Sequence, residues 1–135
     1  MRASANGPVA EAVRAPPCSG LLLGLALLGA CKDQVSAQLR VIGGDPERGR
    51  ALIASYGCTA CHAIPGIAAF VGTVGLPLAG FFRRAYIAGR LPNRPMTLTA
   101  WLRDPPAIDP ATAMPDVGLS EAEARHVAAY LYTLR

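Results

Sequence analysis

Charge is scarce in this sequence: Asp, Glu, Lys and Arg together make up 16% of it, and aromatic residues only 6%. The basic residues are mostly spread along the chain, aromatics do not interleave with them, and no nucleic-acid-binding motif occurs, so a nucleic-acid partner is not expected. The one leader-like apolar run, Gly20–Ala30 (GLLLGLALLGA), is too short to cross a bilayer as a helix. No internal repeat is evident, and no segment of any length alternates with the strand period, which points to an all-α chain. A length of 135 residues allows one domain at most. Histidine is also rare, with only His62 and His126.

One of those two histidines closes the most informative stretch, GCTACH, Gly57 to His62. Cys58 and Cys61 stand three apart with His62 directly after them, the spacing of a c-type haem attachment site. One turn of chain brings both sulfurs to one edge of a porphyrin, where each thiol can add to a vinyl group, and places the imidazole under the iron as proximal ligand. Three other chemistries use C-x-x-C. A structural disulfide is the simplest; zinc needs two further ligands, and only Cys18, Cys31 and His126 remain; a redox dithiol of the thioredoxin type wants a βαβ context, which is absent. A covalent haem also explains how so short a chain can build a core, since it supplies a large flat apolar surface.

The N-terminal part reads as an export segment. Residues 1–30 are expected to be a signal peptide with Gly20–Ala30 as its apolar region. The run ends in LGAC, which resembles a bacterial lipobox and would make Cys31 an acylated mature N-terminus. Cleavage after Val35-Ser36-Ala37 is the alternative. Residues 31–44 read as a linker and 45–135 as the domain. From Lys32 onward there are eleven Lys and Arg against eight Asp and Glu, a balance of +3 that two haem propionates would largely offset.

Within the domain, Asp45 and Pro46 form a helix start, an N-cap carboxylate followed by proline at the first helical position. Gly49, Leu52, Ile53 and Tyr56 share one face, and Gly57 releases the chain into the cysteine turn. Ala63–Gly80 reads as an apolar loop, Phe81–Arg90 as a short helix, Leu91–Pro95 as a turn, and Thr97–Arg103 as a helix capped by Thr97. Ala107–Gly118 reads as a loop. Ser120 and Glu123 form a capping box for a last helix striped by Ala124, Val127, Tyr130, Leu131 and Leu134. The helices at the two ends are natural partners, because Gly49 removes bulk where Tyr130 could cross. For a sixth iron ligand the candidates are Met96, Met114 and His126. Met114 is preferred: it lies in a proline-flanked loop (DPATAMPDVG), whereas Met96 suits core or cap and His126 a surface position.

Taken together, the segments GDPERGRALIASYGCTACH, WLRDPPAIDPATAMP and EARHVAAYLYTL resemble the class I c-type cytochromes, over Gly44–Leu134. The pattern, including RRAYIAGRLPN, is similar to small bacterial mono-haem members associated with haem–copper oxidases. The resemblance implies a cytochrome c fold of three to four short helices with crossed terminal helices. It implies one covalent haem c held by Cys58 and Cys61, with His62 and Met114 on the iron. It also implies that Trp101 lies beside the methionine sulfur, Thr112 and Arg84 near the propionates, and Asn93 in the crevice. One departure is visible: a Gly-Pro-x-Leu run is usual near the proximal histidine, and here Leu76 takes the proline's place in GLPL.

The functional expectation is one-electron transfer in a respiratory chain, from a quinol-oxidising complex to a haem–copper oxidase, on the periplasmic side of a bacterial inner membrane. Methionine ligation and apolar wrapping both raise the potential. Arg83, Arg84, Arg90 and Arg94 are candidates for steering an acidic partner, or else for a solvated face with propionate pairing. The alternatives are a haem peroxidase, the electron-accepting haem subunit of a periplasmic dehydrogenase, or a gas or redox sensor. The enzymatic and sensing readings need an open or displaceable iron position, which Met114 would fill.

Overall fold

The computed structural model describes residues 39–68, 72 and 74–135. The signal peptide, Cys18, Cys31, the Ala37 cleavage position and most of the linker lie outside the described residues.

The first helix, α1, spans Pro46–Ser55. The Asp45 carboxylate accepts from the N–H groups of Glu47 and Arg48 at 2.9 and 3.3 Å, satisfying donors that a helix start leaves unpaired. Gly57, in the left-handed region at φ 70°, turns the chain out of α1 into a 3₁₀ turn over Cys58–Ala60. A second 3₁₀ turn stands at Phe81–Arg83, followed by strands β1 (Tyr86–Ile87) and β2 (Leu91–Pro92). Helices α2 (Pro95–Arg103), α3 (Pro105–Ile108) and α4 (Glu121–Leu131) follow.

The strands overturn the expectation of an all-α cytochrome c fold. Among the described residues, four α-helices are accompanied by a two-stranded antiparallel sheet with Tyr86 opposite Pro92 and Ile87 opposite Leu91. This mostly helical mixture does not by itself define that fold. The hairpin stands where a helix over Phe81–Arg90 was expected. Its cause is local: Ala88 and Gly89 both take positive φ, 49° and 73°, and Arg90 N–H donates to the Ile87 carbonyl at 3.1 Å. Two successive left-handed residues end a helix and reverse a strand.

Two further boundaries differ. Helix α2 starts at Pro95, not at Thr97, with Arg94 extended before it and no side-chain cap. Proline's fixed φ suits the first helical position, where no N–H is needed. The expected loop from Ala107 begins inside α3, whose start is capped by the Asp104 carboxylate accepting from Ala107 N–H at 3.0 Å.

The core forms where α1 and α2 pack against α4. Ile53, Leu98 and Val127 are fully enclosed, with Trp101, Leu102 and Leu131 around them. Burying each aliphatic side chain contributes about 1.5–3 kcal/mol relative to exposure. Helix α4 is anchored by the capping box: the Glu123 carboxylate accepts from Ser120 N–H and Oγ at 2.9 and 2.6 Å, and Ser120 Oγ accepts from Glu123 N–H at 3.3 Å. At the α1–α4 contact, a Cβ on Gly49 would overlap the His126 carbonyl and come within 3.0 Å of Tyr130 Cβ, so glycine is what lets the backbones meet. His126, read as a surface residue, is half-buried, and its Nδ1 accepts from Asp45 N–H at 2.9 Å. Among the described residues, no helix is long and apolar enough to cross a membrane.

Candidate functional site

The α1 exit, the Gly75–Leu78 segment, the hairpin, α2, the Met114 loop and α4 together enclose a cavity of about 320 Å³. That size is within the range of small-molecule and cofactor pockets, about 300–1,000 Å³. Core residues such as Ile53, Leu98, Leu102, Val127 and Leu131 line it, so the space is dominantly apolar. Cys58, Cys61, His62 and Met114 all border it, as do Trp101, Thr112 and Arg84. Asn93 does not. It is buried in the wall behind, where its amide donates to the Phe81 and Arg84 carbonyls at 3.2 and 2.9 Å and accepts from Tyr132 O–H at 2.9 Å. A side chain with both donors and an acceptor satisfies three buried groups at once, so Asn93 fixes the wall instead of facing the crevice.

Both cysteines are free thiols and half-buried. Burial pushes the Cys58 thiol up, which keeps it protonated and slow to oxidise. Among the described residues, no group of three or more His, Cys, Asp or Glu is arranged to hold a metal ion.

His62 is oriented by its neighbours. Its Nδ1 lies 2.8 Å from the Leu76 carbonyl. A carbonyl only accepts, so Nδ1 carries a proton, and in the neutral ring Nε2 is the nitrogen with the lone pair. The Leu76 side chain plays no part and is 73% exposed. Gly75 lies under the ring: a Cβ there would overlap Cε1 and come within 2.8 Å of Nε2. The segment is stitched to the cysteine turn by three backbone bonds, Gly72 N–H to Thr59, Gly75 N–H to Cys61 and Leu78 N–H to Ala63, at 3.2, 2.9 and 2.8 Å. Arg84 donates to the Pro77 carbonyl and lies 5.6 Å from the Phe81 ring centroid. It therefore braces this segment while bordering the cavity.

Met114 is held from the other part of the chain. Its N–H donates to Thr112 Oγ1 at 3.2 Å. Thr112 N–H and Ala111 N–H in turn donate to the Asp109 carbonyl and carboxylate at 2.9 and 3.2 Å. Asp109 also pairs with Arg90 of the hairpin at 2.9 Å. Met96, the rival methionine, is 85% exposed and borders nothing in the cavity. Asp109 and Gly75 escaped the sequence reading. The Asp-Pro before the loop was the available signal for the first, as an Asx-type turn start; for the second there was none, since the ring it carries is thirteen positions away.

No family model matches the chain. It is similar to cytochrome c oxidase subunit 2 of Alkalihalophilus pseudofirmus (strain OF4), 29% identical over 127 residues. The match covers 87% of this chain and 36% of that protein, so the chain spans about a third of the length of the curated relative it matches.

Proposed function

We propose that the chain is a one-electron carrier with a single covalent haem c, working in a respiratory chain beside a terminal oxidase. The observation that carries the reading is the convergence of Cys58, Cys61, His62 and Met114 on one apolar cavity. The donor set fits the group: two thiols three residues apart for thioether bonds, a Nε2 lone pair freed by the Nδ1–Leu76 bond, and a thioether from an ordered loop. When bound, haem c would supply an iron centre that takes up and gives back one electron.

The chain's own residues supply the environment. Trp101, Leu98 and Leu102 exclude water, which disfavours the more highly charged oxidised state. The Leu76 carbonyl holds the imidazole proton and fixes the tautomer. Thr112 and Arg84 border the cavity as its polar members and suit propionate contacts. The likeness of three segments to class I c-type cytochromes, and the similarity to an oxidase subunit, support this assignment over a peroxidase, a dehydrogenase subunit or a sensor. Export and a lipid on Cys31 follow from the leader-like N-terminus and complete the proposal: a carrier on the outer face of a bacterial inner membrane, accepting from a quinol-oxidising complex and donating to a haem–copper oxidase. Arg83 and Arg94, exposed beside the hairpin, are the cations for docking an acidic face, while Arg90 is engaged with Asp109.

The test is the mass and visible spectrum of the protein made in a host that attaches c-type haem. One haem per chain is expected, with the weak red band of sulfur-ligated ferric haem, and Met114→Ala should abolish the band and admit carbon monoxide. A mass without haem, or a band that survives in Met114→Ala, sinks the assignment.

A further inference from the structure

Immediately after His62, the chain makes a tight turn, Ile64 to Ile67, with Ile67 N–H donating to the Ile64 carbonyl at 3.3 Å and Gly66 at φ 78°. The two carbonyls at its apex, those of Pro65 and Gly66, accept from side chains of different helices. Tyr130 of α4 donates its O–H to the Pro65 carbonyl at 2.9 Å. Arg50 of α1 donates from Nη2 to the Gly66 carbonyl at 2.8 Å. Tyr130 sits at the α1–α4 contact, packed against Gly49, and Arg50 is the next residue of α1, exposed beside that contact. On its other side, His62 meets the Leu76 carbonyl and Gly75.

We infer that Arg50 and Tyr130 are positioning residues for His62: they pin the turn leaving the histidine to the α1–α4 contact and so fix the plane of the imidazole. This rests on the proposed role of His62 as an iron ligand. Ala63 and Ile64 are the two residues that join His62 to the clamped turn, so a shift of that turn is passed to the His62 backbone and, through it, to the ring held at the Leu76 carbonyl. The orientation of a ligating imidazole is set by its outer partners, and such partners tune the metal. Arg50 is exposed and Tyr130 is buried, so each can be altered with a different effect on packing.

The experiment uses the haem-loaded protein with three variants. Tyr130→Phe keeps the ring and removes only the hydroxyl. Arg50→Leu removes the other donor at an exposed position, and Arg50→Lys restores a cation that can reach the same carbonyl. Glu121→Ala is the control, since it removes exposed ion pairs of α4 with Arg103 and Arg125, away from the turn and the cavity. The readouts are the paramagnetically shifted haem-methyl resonances of the ferric protein, which respond to the imidazole plane, and the midpoint potential. The expected result is a changed methyl pattern and a shifted potential in Tyr130→Phe and Arg50→Leu, partial return in Arg50→Lys, and none in Glu121→Ala. Wild-type patterns in both clamp variants overturn the inference while leaving the haem assignment standing. Equal shifts in Glu121→Ala also overturn it, as they would mark general loosening. A protein mass lacking haem removes the assignment and the inference together.

Discussion

His62 gives its Nδ1 proton to the carbonyl of Leu76 at 2.8 Å, and the leucine side chain itself stays in solvent. The bond is made by backbone, so residue 76 acts on His62 through its conformational freedom. Leu76→Pro should therefore retain the bond and stiffen its acceptor. Reduced unfolded-state entropy should add about 0.4–1 kcal/mol of stability, and a redox titration should register a shifted potential. An unchanged potential would show that the freedom of this residue does not reach the iron. Gly75→Ala is the opposite case: a methyl under the ring must move it, and lower yield of haem-loaded protein is expected.

The α1–α4 contact makes a second prediction. A methyl at Gly49 meets the His126 carbonyl, a backbone group that cannot swing aside. Gly49→Ala should cost about 1–3 kcal/mol, as overpacking typically does, in spite of alanine's better helix propensity. Thermal unfolding measures it; a stabilised variant would mean that the two helices can separate freely.

Glu123 and Tyr56 predict the pH dependence. The bonds from Ser120 and then from Tyr56 hold the Glu123 carboxyl below its usual range. A lowered folded value means that the stabilisation is present above the unfolded value, about 4.3, and is lost as pH falls through the folded one. The bond to Glu123, with burial, raises the Tyr56 hydroxyl. Its contribution is therefore complete below the unfolded value of about 10 and is lost as pH rises through the folded one. In melting curves against pH, Glu123→Gln should flatten the acid limb and Tyr56→Phe the alkaline limb. Parallel curves for wild type and variants would refute the coupling.

Asp109 ties the methionine loop to the hairpin. Asp109→Ala removes the Arg90 pair and the carboxylate that accepts Ala111 N–H, and should cost about 1 kcal/mol, the usual worth of one hydrogen bond. Asp109→Asn keeps the turn acceptor and should cost less, because exposed ion pairs are worth little. In the haem-loaded protein, imidazole should displace Met114 several-fold faster in Asp109→Ala than in Asp109→Asn. Equal rates would leave the loop's order to Thr112 alone.

The turn after Gly57 and the irregular segment around Met114 were legible in the sequence because glycine and proline act on their immediate neighbours. Helix starts at Asp45 and Ser120 were legible for the same reason, since caps act over three residues. The hairpin was not: strands of two residues carry a single alternation, too little to register as a period, and the left-handed Ala88 leaves no trace in composition. Arg90 with Asp109, Tyr130 with Pro65 and Asn93 with Tyr132 escaped because each joins residues far apart in the chain, and only folding brings them together. Asn93 was misplaced for that reason, as its partners decide which way it faces.

The distance in sequence between the cysteines and α4 also fixes an order of events. Tyr56, which borders the cavity, and its α4 partner Glu123 are 67 residues apart. During synthesis the N-terminal part emerges first, so the thiols exist as an open peptide well before Val127 and Leu131 arrive to roof them. On the proposed function, a haem added before α4 docks would meet Cys58 and Cys61 unhindered. The same residues become poor targets once α4 has docked.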